Sequence, residues 1–316
     1  MSTAKPQPRL GIALGGGAAR GWAHIGVLSA LAENGIEPEI VCGTSIGALV
    51  GGVYAAGRLP ELESWVAGLT RRDLIGLLDF TAAGGGAIGG RKLMQFFGAQ
   101  VGELHIEELP LKFAAVATDL HTGTEVWLQV GPLLQAIRAS LSLPGIFTPV
   151  FQDGRWLVDG GLVNPTPVSL CRALGAELVI AVDLHGAGAL RPGEAAELET
   201  PLSVVQVRTG RSRLSRIFSR RRTPPEEEAA AGEEREPSPK PPVPPGVASV
   251  IATSLDIMQA RLSRSRLAGD PPDLLLSPRV RQVPPLDFAG GRPTIEEGYH
   301  NVRAMLPALK DLLGID

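Results

Sequence analysis

RLGIALGGGAARGWAHIGVLSALAENGIEPEIVCGTSIGAL, residues 9–49, contains one local pattern twice. Arg9 to Leu14 is a short apolar run that ends in Gly15-Gly16-Gly17, and Ala18 to Asn34 then carries apolar residues at helical spacing (Ile25, Val27, Leu28, Leu31). Glu39 to Cys42 is a second buried-strand run. It passes through the sharp turn Gly43-Thr44-Ser45-Ile46-Gly47 into a small-residue helix, Ala48 to Ala56, closed by Gly57. Strand, glycine turn and helix in alternation predict an α/β fold of three layers, with a mostly parallel sheet between helices.

The rest of the chain fits this scheme. Strands are expected at 112–118, 125–129, 156–158, 178–182, 203–207 and 274–276, and helices at 91–101, 133–140, 168–174, 247–267 and 295–313. TAAGGGAIGG, residues 81–90, is too glycine-rich for either and is expected to be a mobile loop. From Arg211 to Gly246 a basic block, an acidic block and PSPKPPVPPG follow one another, a composition that sustains neither helix nor sheet. This predicts one domain, residues 1–210 with 247–316, interrupted by a disordered charged and proline-rich insertion at 211–246.

At 316 residues, with 44% hydrophobic and 20% charged positions, the chain can bury a full core. The net charge of -3 argues against bulk nucleic-acid binding. Two cysteines, Cys42 and Cys171, both in apolar runs, predict no disulfide framework and a reducing compartment, the cytoplasm. Neither a secretory leader nor a run of about 18 apolar residues is apparent, so peripheral contact is the expected route to a membrane. No cluster has metal-ligand spacing, and neither metal nor cofactor is expected.

Three motifs carry the chemistry. Gly43-Thr44-Ser45-Ile46-Gly47 fits G-x-S-x-G, a strand-to-helix reversal that exposes a serine hydroxyl at a helix N-terminus, where amides and dipole favour a developing oxyanion. The Gly15-Gly16-Gly17-Ala18-Ala19-Arg20-Gly21 loop offers bare amides to the same oxygen. A phosphate loop is the competing reading, but G-x-x-x-x-G-K-[ST] is absent, and G-x-G-x-x-G fails at Ala18 or Arg20. Asp159-Gly160-Gly161, after Trp156-Leu157-Val158, places a carboxylate at a strand end, although an Asp-Gly pair is also a common hairpin turn. Asp119 and Asp183 likewise sit at expected strand ends. Among the five histidines, His185 is the strongest rival base, while surface or packing roles suit His24, His105, His121 and His300.

These three motifs in this order resemble the patatin-like phospholipase family, most specifically small bacterial members similar to the catalytic domain of neuropathy target esterase. The resemblance spans Leu10 to Val182. It includes Ala117-Thr118-Asp119-Leu120 with Thr122-Gly123, and Arg138-Ala139-Ser140-Leu141-Ser142 with Pro144-Gly145-Ile146-Phe147. It implies hydrolysis of lipid carboxylic esters by a dyad, with Ser45 as nucleophile and Asp159 as base, no histidine, and an acyl-enzyme intermediate. The amides of Gly16, Gly17 and Ala18 supply the oxyanion hole on this reading. Arg20 steadies the loop, and Gly15, Gly21, Gly43, Gly47, Gly160 and Gly161 support the turns. Ala18 departs from the glycine that many members carry there. Lipid or lysophospholipid substrates are implied by the resemblance alone. A catalytically silent lipid- or protein-binding regulator on the same fold is the alternative, and acyl transfer or amide cleavage would use the same dyad. Two segments combine apolar side chains with positive charge suited to a membrane surface: 84–90 with Leu93, Met94, Phe96 and Phe97, and the basic block around Leu214, Ile217 and Phe218. The competing expectations are that the 91–101 helix packs Leu93, Phe96 and Phe97 on the core and that the basic block is a solvated charged linker.

Overall fold

The computed structural model describes residues 8–81, 85–186 and 246–315. β1 (Leu10–Leu14) leads through a 3-10 turn (Ala18–Trp22) into α1 (Ala23–Glu33), and β2 (Ile40–Thr44) runs into α2 (Ile46–Ala55). Then come α3 (Leu59–Gly68), α4 (Arg71–Leu77), β3 (Gly86–Ile88), α5 (Arg91–Val101), β4 (Lys112–Asp119), β5 (Glu125–Leu128) and α6 (Leu133–Ser140). β6 (Gly145–Phe147), β7 (Val150–Gln152), β8 (Arg155–Asp159), α7 (Val168–Ala173), β9 (Leu178–Val182), α8 (Val247–Gly269), β10 (Leu274–Leu276) and α9 (Arg292–Leu313) complete the order.

The main sheet runs β10-β9-β1-β2-β4-β8-β7, with β5 also paired to β4. β10, β9, β1, β2 and β4 are mutually parallel; β5 and β8 run antiparallel to β4, and β7, antiparallel to β8, runs back in the direction of β4. Helices cover both faces, as the alternating pattern predicts. Phe113, Ala115 and Ala117 of β4 join the core formed with α1, α2 and α6, whereas Ala114 and Val116 join Val168, Leu170 and Cys171 of α7. The alternation follows from the period of two along a strand. Cys42 and Cys171 are free and buried on the α7 face.

The register along β4 positions the site. β2 pairs with Lys112 to Val116 and ends with Thr44 opposite Val116. β5 occupies the other edge from Ala115 to Thr118. β8 therefore pairs along the edge that β2 has vacated, with Asp159 opposite Ala117 and Leu157 opposite Asp119. The residue after Thr44 and the last residue of β8 thus meet at one point on β4.

Several sequence expectations need correction. The glycine-rich stretch at 81–90 is not all loop: Gly86 to Ile88 form a parallel pair with Gly145 to Phe147. Glycine is what allows it, because a Cβ at Gly86 would lie 2.3 Å from the Phe147 carbonyl carbon. The expected helix from Ala18 begins as a 3-10 turn, and α-helix starts only at Ala23. α3 and α4 were not anticipated, although Leu59, Leu62 and Val66 are buried at helical spacing and Thr70 with Asp73 forms a capping box. The strand expected at 203–207 and the segment at 211–245 lie outside the described residues.

α1 and α9 touch backbone to backbone. A Cβ at Gly26 would stand 1.9 Å from the Ile295 carbonyl oxygen, and one at Gly298 would stand 2.0 Å from the Ala23 carbonyl oxygen. Helix propensity alone favours alanine over glycine by about 1 kcal/mol, but here the added methyl must separate two helices. Gly298→Ala should lower the melting temperature, at a cost of roughly 1–3 kcal/mol. Gly76→Ala in α4, where nothing lies within 4 Å of the added carbon, should raise stability by about 0.5–1 kcal/mol. Thermal unfolding of the two variants checks both signs.

Candidate active site

The G-x-S-x-G turn is tight enough to require its glycines. A Cβ at Gly43 would come 2.4 Å from the Gly47 carbonyl oxygen, and one at Gly47 would come 2.1 Å from the Leu14 carbonyl oxygen. Squeezed between them, Ser45 adopts φ 56 and ψ -123 as the N-cap of α2. Such a conformation costs a non-glycine residue of order 1–3 kcal/mol. Ser140 anchors it, as its Oγ accepts the Ser45 amide at 2.8 Å. Thr44 is tied in turn by its Oγ, which donates to the Asn164 carbonyl at 2.8 Å.

Ser45 Oγ donates to Asp159 Oδ2 at 2.5 Å. The other carboxylate oxygen, Oδ1, accepts the Gly161 amide at 2.7 Å. Two backbone contacts fix the strand end: the Asp159 amide donates to the Ser142 carbonyl at 3.0 Å, and Thr118 Oγ1 donates to the Asp159 carbonyl at 2.8 Å. Asp159 is 0% exposed. Burial pushes its carboxyl up to about 6, against the opposing pull of the Ser45 and Gly161 hydrogen bonds. Among the described residues no cation is bonded to it.

The glycine loop runs alongside. The Gly15 amide donates to the Val182 carbonyl at 3.0 Å and the Gly16 amide to the Pro165 carbonyl at 2.9 Å. Gly16, expected among the oxyanion donors, thus has its N–H committed to the fold. The Gly17 and Ala18 amides make no hydrogen bond among the described residues. Both residues have positive φ, 155 and 51, so Ala18 holds the left-handed conformation that glycine adopts at less cost. A buried, neutral His24 supports the loop: its Nε2–H donates to the Gly15 carbonyl at 2.7 Å, and burial depresses its pKa to about 4.

Arg20 is buried and ties the loop to α8, donating through Nη1 to Asp256 Oδ1 at 2.7 Å and through Nε to the Val283 carbonyl at 3.0 Å. Burial alone would raise the Asp256 carboxyl, but contact with His185 and the Arg20 charge outweigh it and hold the pKa at about 2. His185 Nδ1 stands 3.3 Å from Asp256 Oδ1, too obliquely for a formed hydrogen bond. The rival base therefore faces Asp256, and Ser45 Oγ bonds to Asp159. Asp183 accepts from Ser263 Oγ at 3.0 Å, and Asp119 accepts the His121 amide at 2.9 Å, so both act as loop caps.

Ser140, Ser142 and Arg138 lie in a block whose individual roles the sequence leaves open. Arg138 is buried, donates to Ser142 Oγ at 2.7 Å and to the Gly89 carbonyl at 2.7 Å, and so couples the β3 connection to the strand end carrying Asp159. α8, expected only as a helix, contributes Asp256 and Gln259 to the site. No motif announces them, since their role depends on a docking that only the fold creates. Asn164 Nδ2 donates to Glu125 Oε1 at 2.8 Å while its amide donates to the Gly160 carbonyl at 2.9 Å, which braces the turn after Asp159. Leu93, Phe96 and Phe97 of α5 pack on the core, as expected. Among the described residues no group of three or more His, Cys, Asp and Glu is placed to hold a metal ion, and no helix is long and apolar enough to cross a membrane.

Comparison with known proteins identifies the family. The family model of patatin-like phospholipase matches residues 12–172. An uncharacterized NTE family protein of Mycobacterium tuberculosis (strain ATCC 25618 / H37Rv) is 40% identical over 299 residues, covering 85% of this chain and 83% of its own. A patatin-like phospholipase domain-containing protein of Caenorhabditis elegans is 41% identical over 187 residues, 55% of this chain and 13% of its own. The lysophospholipase NTE1 of Yarrowia lipolytica is 36% identical over 184 residues, 55% of this chain and 12% of its own. The family match over half of the chain and the mycobacterial relative over most of it lead to one conclusion: this chain belongs to the patatin-like phospholipase family, a family of lipid acyl hydrolases.

Proposed function

We propose that the protein hydrolyses carboxylic esters of lipids through a Ser45–Asp159 dyad, with monoacyl lipids such as lysophospholipids as the substrate class. The observation that carries this reading is the 2.5 Å contact between Ser45 Oγ and a buried carboxylate whose oxygens have no other side-chain donor among the described residues. In the first step Asp159 takes the hydroxyl proton as Oγ bonds to the acyl carbon. The carbonyl electron pair moves onto oxygen, where the Gly17 and Ala18 amides and the N-terminus of α2 stabilise it. Collapse of this intermediate expels the alcohol, which takes the proton back from Asp159. Water then repeats the sequence on the acyl-enzyme, with Asp159 accepting its proton, and releases the fatty acid and free Ser45.

Exposed apolar side chains at Ile75 and Phe80, beside the β3 connection, and at Val247, Val250, Ile257 and Met258 on α8 support peripheral contact with a lipid surface. A cytoplasmic setting accords with two free, buried cysteines.

Hydrolysis of a chromogenic medium-chain ester tests the dyad. Ser45→Ala should lose roughly 10³-fold or more in kcat, and Asp159→Asn should lose a comparable factor. Retention of activity in Asp159→Asn, with circular dichroism unchanged, would exclude Asp159 as the base.

The raised carboxyl predicts a rate that climbs tenfold per pH unit below about 6 and levels above it, measured as kcat/KM between pH 4.5 and 8. The same shift has a stability consequence. A folded pKa near 6 against 3.8 unfolded means that Asp159 costs nothing well below 3.8, that its penalty grows as pH rises from 3.8 to about 6, and that the penalty is constant above that. Asp159→Asn should therefore melt higher than the unmodified protein at pH 8, by up to about 3 kcal/mol, and show no such gain at pH 4. The asparagine oxygen can still accept from Gly161, and Ser45 can turn to accept from its amide.

A further inference from the structure

α8 crosses the catalytic end of the sheet and presents a polar stripe to it: Asp256, Gln259, Ser263 and Arg266, spaced so that all four share one helical face. Three are fully engaged. Asp256 holds Arg20, Ser263 donates to Asp183 at 3.0 Å and contacts Thr166 at 3.0 Å, and Arg266 donates to the Val163 carbonyl at 3.0 Å and to Glu125 at 2.9 Å. These contacts clamp the helix against the glycine loop and the segment that follows the Asp159 turn. Gln259, at their centre, is only 7% exposed, and its side-chain amide makes no hydrogen bond among the described residues.

Its amide is held between the glycine loop and the Asp159 turn. A Cβ at Gly161 would lie 2.4 Å from Gln259 Nε2 and 3.0 Å from Asp159 Oδ1, and a Cβ at Gly16 would lie 3.7 Å from Gln259 Oε1 and 3.6 Å from Ser45 Cβ. The amide has no protein partner among the described residues and stands beside Ser45 and Asp159, so its donors and acceptor are available to a ligand there. The sealed, unpaired side-chain atoms of the described residues belong to His24, Gln152, His185 and Asn301. The Gln259 amide is not one of them, so it keeps some access to solvent, and it does so between the glycine loop and the Asp159 turn.

We infer that Gln259 is a specificity-determining residue whose amide hydrogen-bonds a free hydroxyl next to the scissile ester of the substrate. The inference rests on the dyad proposed above. Asp159 returns its proton to the departing alcohol, so a group packed on the Gly161 turn faces the alcohol portion of the substrate. An amide offers one acceptor and two donor hydrogens, and a hydroxyl both donates and accepts. A monoacyl glycerol backbone supplies that hydroxyl, whereas a second acyl ester at the same carbon supplies acceptors only and leaves Oε1 unpaired.

The test compares kcat/KM for a 1-acyl-2-hydroxy-glycerophosphocholine and for its 2-deoxy analogue, below their critical micelle concentrations. The unmodified protein should favour the hydroxyl-bearing substrate by roughly tenfold or more, the value of one well-placed hydrogen bond to a buried group. In Gln259→Met, close to glutamine in size, and in Gln259→Leu, the ratio should collapse towards one whatever happens to the absolute rates. A purely structural role leaves the ratio untouched, and so does a role in holding the hydrolytic water, which slows both substrates together. Either result overturns the inference, as does equal turnover of the two substrates by the unmodified protein. If the chromogenic ester is cleaved and the ratio is one, only the Gln259 assignment falls. If neither the ester nor the lipids are cleaved, the dyad reading fails and this one with it.

Discussion

Everything at the candidate site depends on one strand edge shared by two partners. β4 is long enough to pair with β2 along its first half and with β8 beyond it, while β5 fills the opposite edge. The chain leaving β2 must turn away where β8 arrives, and that turn is Ser45. The same hydrogen-bonded ladder that stabilises the sheet therefore sets the separation of hydroxyl and carboxylate. A shift of β8 by one residue would reverse the face of Asp159 and send its carboxylate away from Ser45.

That placement is unfavourable in two ways, and the surrounding structure offsets both. Ser45 is held at a strained backbone conformation between glycines too close to their neighbours to bear side chains. Asp159 is buried without a cation, so its charge is opposed by desolvation and supported by two hydrogen bonds. A carboxylate with a salt-bridge partner would be too weak a base to take a serine proton. Desolvation moves its basicity in the useful direction, and keeping Arg20 occupied by Asp256 and backbone carbonyls leaves that effect intact.

α8 connects parts of the chain far apart in sequence. Its polar stripe engages Arg20 of the first loop, the Val163 carbonyl after the Asp159 turn, and the Thr166–Asp183 pair. The two faces of the helix are unlike: the inner one is polar and paired except at Gln259, and the outer one exposes Val247, Val250, Ile257 and Met258. This accounts for the absence of a clean apolar periodicity in the sequence. The inward side chains meet loops and strand ends, which offer carbonyls and carboxylates, so burial there selects polar residues.

Local chemistry alone determined much of this protein. Apolar runs marked β1, β2, β9 and β10, the first two stopped by glycines, because a strand buried on both faces has few polar positions. The serine turn, the glycine loop and the Asp-Gly-Gly turn were legible because each needs particular residue types at adjacent positions. Apart from the family resemblance, which pointed to Asp159, local sequence leaves Asp119, Asp159 and Asp183 alike at strand ends, and register is what brings one of them to Ser45. Tertiary structure also decided which loop amides remain free: Gly16 is lost to the Pro165 carbonyl, a partner about 150 residues away that no local pattern predicts. The pairing of β3 with β6 and the entry of Gln259 into the site were hidden for the same reason. Each depends on contacts between distant segments, whose geometry is set by packing and not by the order of residues on either side.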